Sequence, residues 1–296
     1  MANEITVKEF FSREDVKGKF QELLGQKSVG FLTSVLQITN QNSLLSKATP
    51  VSIYNSAAMA ATLDLPINQN LGFAYIVPYN EKYNDAQGQW QQRCVAQFQI
   101  GWKGLVQLAQ RSGQYKSINV VEVYENQFKK YNALTEDLDA DFEIDGNGQV
   151  VGYVAYFRLL NGFEKTVYWS KSKVEQHGKK FSKTYENSNG VWKSNFDAMA
   201  KKTVLKSAIS KWGILSIEMT KAIVSDQAVI NDVDTLDVTY SDAGESATIE
   251  VKETISDDEL VDVIENIKSG NITIESLQNQ YEVSDEQLKT IQDATV

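Results

Sequence analysis

The sequence predicts an α+β protein: small antiparallel sheets and hairpins packed with helices, then an acidic linker and a small helical C-terminal domain. Three observations carry that reading. Apolar residues recur at helical spacing as far as Leu65, β-rich runs separated by turn residues fill the middle, and composition changes abruptly at Asp226. The chain has 296 residues, of which 42% are hydrophobic, enough for one large domain with appendages.

The first helix holds Phe20, Leu23 and Leu24 and ends at Gly25; the second holds Phe31, Leu32, Val35 and Leu36. A third begins at Pro50, with Thr49 as its cap, and runs through Ala57, Ala58, Ala60 and Ala61, small enough to admit a close neighbour. Leu71 to Tyr79 and Cys94 to Ile100 are predicted strands, with the polar stretch Asn80 to Gln92 as a surface loop. Gly101 to Arg111 is a short helix closed by Gly113, and Tyr115 to Tyr124 is a strand. Val150 to Leu160 and Phe163 to Trp169 flank Asn161-Gly162, a strong hairpin signal. A long helix spans Val191 to Trp212. The domain scheme is a core over 1–225, a flexible acidic linker over 226–253, and a helical domain over 254–296. In the last, Ser256/Glu259 and Ser284/Gln287 resemble capping boxes, and Ile274, Leu277 and Tyr281 lie at helical spacing between them.

Net charge is −10, yet it is unevenly spread. Residues 226–296 carry 18 acidic and three basic side chains, whereas residues 150–225 carry 13 basic and five acidic. A cationic core with an acidic tail suits a polyanion binder, and equally a domain with a solubilising tail.

Several chemistries are disfavoured. No phosphate-binding loop ending in Gly-Lys-Ser/Thr is present, and Asp145-Gly-Asn-Gly148 precedes a β run, so a turn is expected rather than a dinucleotide site. His177 is the single histidine and Cys94 the single cysteine, which leaves little material for zinc hydrolysis, a nucleophile triad or a disulfide. No apolar run is long enough to span a membrane, and the first residues do not read as a secretory signal. No catalytic or metal site is expected. Glu164-Lys165 leaves a carboxylate nuclease open, although exposed strand charges explain the pair as well.

The chemistry that is present is lysine with aromatic rings. Between Lys165 and Lys211 there are eleven lysines and three acidic residues, interleaved with Tyr168, Trp169, Phe181, Tyr185, Trp192, Phe196 and Trp212. Lysines neutralise phosphates, and ring faces stack on unpaired bases. Arginine, which reads guanine in duplex DNA, is scarce. On a helical wheel Phe196, Ala200, Val204 and Ala208 share an apolar face, Lys202 and Lys206 lie opposite, and Lys201 falls inside the apolar arc. Lys201 must therefore snorkel, pair or line a groove. Trp192 and Trp212 are expected as packing residues. A second basic-aromatic unit runs from Phe98 to Lys116, where Gly101 and Gly104 allow a backbone to approach a helix start; this fits a phosphate site or simply a Gly-rich turn.

Six runs resemble the RecT family of single-strand annealing proteins. They are Leu63-Asp-Leu-Pro-Ile, Leu71-Gly-Phe-Ala-Tyr-Ile-Val-Pro-Tyr, Gln97-Phe-Gln-Ile-Gly-Trp-Lys-Gly, Arg111-Ser-Gly-Gln-Tyr-Lys-Ser-Ile-Asn-Val, Leu160-Asn-Gly-Phe-Glu-Lys-Thr-Val-Tyr-Trp and Asp197-Ala-Met-Ala-Lys-Lys-Thr-Val-Leu. They follow family order across roughly residues 15–225, and the core is more remotely similar to the Redβ and Rad52 annealing proteins. The resemblance implies ATP-independent binding of single-stranded DNA and annealing of complementary strands in phage-type recombination, on an oligomeric ring or filament of this chain. It implies a phage- or prophage-encoded protein in the bacterial cytoplasm, with the annealed duplex as product. It also implies a host single-strand binding protein or a phage exonuclease as partner. No cofactor is required, and magnesium is expected to modulate annealing. Carried onto this chain, the DNA groove falls on Lys103, Arg111, Lys116, Lys193, Lys201, Lys202, Lys206 and Lys211, with Phe98, Trp102 and Tyr115 as aromatic neighbours. Asn80 to Gln92 departs from the short turn expected in relatives. The alternatives are a single-strand binding module that does not anneal, and a metal-dependent nuclease.

Overall fold

Four helices open the chain: α1 (Val7–Ser12), α2 (Glu14–Leu24), α3 (Ser28–Gln41) and α4 (Pro50–Thr62). The structure, a computed structural model, describes residues 5–84, 88–182, 184–186, 190–240, 253–254, 264 and 281–282. α2 ends at Gly25, whose φ of 54° is the left-handed geometry that glycine adopts without strain. Pro50 occupies the first position of α4, as expected. The four alanines of α4 are buried, and their short side chains let a strand, β2 (Trp90–Ile100), lie against the helix. Ser52 and Ser56 fasten that contact: the Ala96 N–H donates to the Ser52 hydroxyl at 2.8 Å, and the Ser56 hydroxyl donates to the Ala96 carbonyl at 3.2 Å.

β2 pairs antiparallel with β1 (Ala74–Asn84), in register from Ala74–Ile100 out to Asn84–Trp90. Most of the expected surface loop at 80–92 is therefore the outer half of a hairpin. The polar sequence misled because most side chains of this arm meet solvent and the buried position is a glutamate, Glu81, so no apolar alternation marks it as strand. Cross-strand contacts hold it instead. Arg93 pairs with Glu81 directly opposite and lies 4.7 Å over the Tyr83 ring.

After α5 (Trp102–Arg111) comes a three-stranded antiparallel sheet of β3 (Tyr115–Tyr124), β6 (Val150–Leu159) and β7 (Glu164–Ser170), in the order β3-β6-β7. Asn161-Gly162 makes the β6–β7 turn, with Gly162 at φ 92°. A further hairpin, β4 (Phe128–Asn132) and β5 (Asp137–Ala140), interrupts the sheet connection; Phe128 and Tyr131 pack on Tyr168. The glycine-rich Asp145–Gly148 segment is a loop tied to Asn126, whose amide donates to Asp145 and whose oxygen accepts from Asn147.

Helices α6 (Lys171–Phe181) and α8 (Phe196–Trp212) pack on the sheet, α7 (Val191–Ser194) leads into α8, and α9 (Ile217–Ser225) packs against α5 and β2. The single helix expected over 191–212 is broken at Asn195, which has φ −150° and ψ 60°. α8 is pinned to the sheet by Tyr153, which donates to the Asp197 carboxylate at 2.5 Å. Burial, then that carboxylate, push the Tyr153 phenol far above its usual range, so it stays a donor.

The core does not end at residue 225. The Gln227 N–H donates to the Phe98 carbonyl at 2.9 Å, and β8 (Val229–Asp232) pairs with β9 (Asp237–Thr239). The Asn55 amide on α4 donates to the carbonyls of Ile230 and Asn231. Residues 226–240 of the expected linker are thus folded. Acidity at exposed Asp232, Asp234 and Asp237 masked the buried run Ala228, Val229 and Ile230.

The chain forms two compact units, residues 1–246 and 247–296. In the second unit β10 (Glu253–Thr254) pairs in parallel with β11 (Tyr281–Glu282), and Ile264 is helical. Tyr281, expected on a helix, stands in a strand. Both capping boxes lie outside the described residues.

Candidate nucleic-acid interface

The start of α5 and the middle of α8, about a hundred positions apart in sequence, meet at one indole ring. The Nζ of Lys201 lies 5.2 Å from the Trp102 centroid, and the Nζ of Lys103 lies 5.8 Å from it. Two ammoniums at one ring are a cation–π arrangement. Glu122 on β3 holds Lys201 in place with an ion pair of 2.9 Å. Lys201 therefore neither snorkels nor sits unpaired in the apolar arc; it reaches Trp102 and Glu122, with its side chain 18% exposed. Lys103 is exposed and Trp102 half-buried.

The glycines around Trp102 serve the fold. A Cβ on Gly101 would stand 2.1 Å from the Gly72 carbonyl oxygen, and one on Gly104 would stand 2.2 Å from the Phe73 oxygen. The backbone that approaches α5 is thus the chain's own loop, and the Gly101 N–H already donates to Phe73 at 2.8 Å.

At the next residue of α8 the geometry changes. Lys202 is 5% exposed and Asp226 2% exposed. The Lys202 and Lys206 ammoniums each lie 2.7 Å from an Asp226 oxygen, and the Ile100 N–H donates to the same carboxylate at 3.2 Å. Burial alone raises the Asp226 pKa, but the two lysines more than offset it and hold the carboxyl below its ordinary value. Burial lowers the Lys202 pKa; Asp226 opposes this, and Lys206 adds to it. This is a buried joint between α8 and the segment leading to β8.

Two candidates are accordingly corrected. Lys202, placed opposite the apolar face on a wheel, is buried because the 226–230 segment covers that side of α8. Phe98 is fully buried, opposite Ala228, and presents no face to a base. Arg111 donates to the carbonyls of Leu63 and Asp64 at 2.7 and 2.8 Å, closing the exit of α4. Tyr115 packs edge-on against Phe157 and donates to the Ile214 carbonyl at 3.0 Å. Lys116 is exposed. Lys193 lies 3.9 Å from Glu186, and Lys211 lies 3.8 Å from Glu136.

Other aromatic residues also stand differently from expectation. Trp192 is buried, as expected of a packing residue, but Trp212 is exposed with Lys165 and Lys211 at 4.6 and 4.7 Å from its centroid. Lys165 is no plain surface charge: it pairs with Glu136 at 2.6 Å, which holds that carboxyl below its usual range. Helix α6 was missed altogether, because its basic sequence buries little beyond Val174 and Gly178. Its start was legible in Ser170, whose hydroxyl accepts from the Lys173 N–H.

Among the described residues no group of three or more His, Cys, Asp or Glu is placed to hold a metal ion, and no helix is long and apolar enough to cross a membrane. A mixed core that gathers lysines around a half-buried indole has the chemistry of a single-strand nucleic-acid binder. The RecT family profile matches residues 30–239, and the chain belongs to the RecT family. It is 48% identical over 229 residues to the uncharacterized protein YqaK of Bacillus subtilis strain 168, covering 77% of this chain and 75% of that one. It is 28% identical over 178 residues to protein RecT of Escherichia coli strain K12, covering 60% of this chain and 63% of that one. Family membership makes this a DNA-binding protein of phage-type single-strand annealing in recombination. The matched region ends at the last residue of β9, in keeping with a core that continues past Asp226.

Proposed function

We propose that this chain anneals complementary DNA strands without nucleotide hydrolysis, as an oligomeric ring or filament, using the Trp102 site to hold the first strand. The observation that supports the site is the meeting of Lys103 and Lys201 at the Trp102 ring. These lysines, with Lys116, Lys193 and Lys211, neutralise phosphates and release the counterions condensed on the strand, while Trp102 stacks on a base and Lys206 stays with Asp226. Arg111 and Tyr115 act by holding the surrounding backbone. Bases left outward sample a second strand by Watson–Crick pairing, and neighbouring protomers extend the track. No covalent step and no cofactor are needed, and magnesium modulates annealing by screening strand repulsion. A host single-strand binding protein or a phage exonuclease hands over the strand.

The test is to mix labelled complementary oligonucleotides, without ATP, with and without protein. Pairing should accelerate, and Trp102→Ala with Lys201→Ala should abolish the acceleration. Inhibition of pairing would make the chain a plain single-strand binder. Shortening of the oligonucleotides with magnesium or manganese would make it a nuclease.

A further inference from the structure

The end of β7 and helix α6 carry a second set of rings and lysines, with ring contacts of their own. The Trp169 and His177 ring centroids are 5.3 Å apart, and those of His177 and Phe181 are 4.6 Å apart. Residues 173, 177 and 181 are spaced four apart, so they line one side of the helix. Lys173 lies 4.4 Å over Trp169, and Lys180 lies 5.2 Å over Phe181. Phe181, the outermost ring, is 54% exposed.

The charges here differ from most of those at the first site, where only Lys103 and Lys116 have no ion pair among the described residues. Lys193, Lys201, Lys206 and Lys211 each have a carboxylate within 4 Å. Among the described residues no carboxylate lies within ion-pair distance of Lys173, Lys179 or Lys180. Like charges crowded on one helix cost stability, and an exposed phenylalanine beside them gains nothing from water. Both costs are relieved by one ligand, an anionic chain that carries flat apolar groups. The lysines also burden the imidazole: burial, then Lys206, Lys173 and Lys180, lower the His177 pKa, which keeps the ring neutral and able to stack.

We propose that the Trp169–His177–Phe181 strip is an additional base-stacking station for single-stranded DNA, with Lys173 and Lys180 on the flanking phosphates. It rests on the reading of the chain as a strand-annealing protein, but not on the Trp102 site. A base must be unpaired to lie on Phe181, so the station favours single strands over duplex.

The experiment uses the full chain and a fluorescent thymine oligonucleotide, with three variants: Phe181→Ala, Lys173→Ala/Lys180→Ala and Trp102→Ala. Stacking on one ring is worth ~1–3 kcal/mol, so Phe181→Ala should weaken single-strand binding by about 5- to 150-fold. The same variant should bind an abasic strand of equal length, and a duplex, as the unaltered protein does. The double lysine variant should weaken all three ligands and reduce the salt dependence. Far-ultraviolet circular dichroism checks the fold; Phe181 is exposed enough for truncation to leave it intact. If Phe181→Ala binds the thymine strand normally, or loses affinity equally for the abasic strand, the station is overturned. If it does so while Trp102→Ala fails to bind, the strip falls and the Trp102 site stands. The opposite pattern, loss at Phe181 and none at Trp102, removes the Trp102 site and keeps the strip.

Discussion

Lys201 and Lys202 are neighbours on α8, and they show how one helix divides its charges between fold and surface. Lys201 pairs with Glu122 at 2.9 Å and reaches Trp102, with both side chains of the pair partly open to solvent. Lys202 pairs with Asp226 at 2.7 Å, with side chains 6% and 1% exposed. The distances are almost equal, yet the energetics are not. A partly open pair gives up less when broken, because water reaches both ends; a fully buried pair leaves a stranded charge. The contrast predicts that stability should follow Lys202 and Asp226, and DNA affinity Lys201 and Trp102.

The largest effect should come from Asp226. Asp226→Ala leaves the buried Lys202 ammonium without a carboxylate and removes the acceptor for the Ile100 N–H. Breaking one side of a buried pair costs about 3–5 kcal/mol, which denaturant unfolding would measure. The pH dependence has a definite sign. The folded Asp226 pKa lies below the unfolded one, so its contribution is present above the unfolded carboxylate range near ~3.9 and is lost as pH falls through the folded pKa. Asp226→Asn should flatten that acid limb. An unchanged unfolding midpoint in either variant would mean the joint is not buried in solution.

Trp102→Ala comes next and should act mainly on binding. Loss of one stacked base corresponds to ~1–3 kcal/mol of single-strand affinity. Its ring is half-buried, so some destabilisation is expected, but less than at Asp226. Equal loss of stability in the two variants would collapse the distinction between the regions.

Lys201→Ala should follow, with a modest loss of affinity and a clear change in salt dependence. For single strands each phosphate contact contributes about −0.7 to the log–log slope, so this variant should flatten the slope by that amount. Lys202→Ala should leave the slope as it was in the folded protein while lowering stability. A reversed outcome would mean that α8 opens on binding DNA.

The same contrast explains what the sequence revealed. Most elements of the core were legible, because local signals coincided with tertiary demand: Pro50 after Thr49, Gly113 after α5, Asn161-Gly162 between β6 and β7. The elements that escaped bury little of their own surface, as in the outer β1–β2 arm, β4–β5 and α6, or hide a short apolar run among acids, as in β8. At the candidate site, the lysine-aromatic composition marked α5 and α8, which the fold brings together at Trp102. It could not sort Lys201 from Lys202, because a helical wheel sees one helix while burial is set by its neighbours. The cover on Lys202 comes from 226–230, which the acidic composition assigned to a linker. Likewise, Gly101 and Gly104 signalled a close approach, but only the fold shows that the approaching backbone belongs to Gly72 and Phe73.

The smallest effect should sharpen the comparison most, because its sign is opposite to the others. Glu122 orients Lys201, but a phosphate arriving at that ammonium also meets the carboxylate. Glu122→Gln keeps a polar side chain of the same size and removes the repulsion. Two unit charges ~6–8 Å apart in a watery surface interact by roughly 0.5–0.7 kcal/mol, less when salt screens them. Single-strand affinity should therefore rise about two- to threefold at low salt, with the gain fading as ionic strength increases. The corresponding change at the buried joint, Asp226→Asn, should give no such gain, because no phosphate reaches it. If Glu122→Gln weakens binding instead, the carboxylate serves mainly to hold Lys201 over Trp102, and the partly open pair resembles the buried one more closely than its solvation implies.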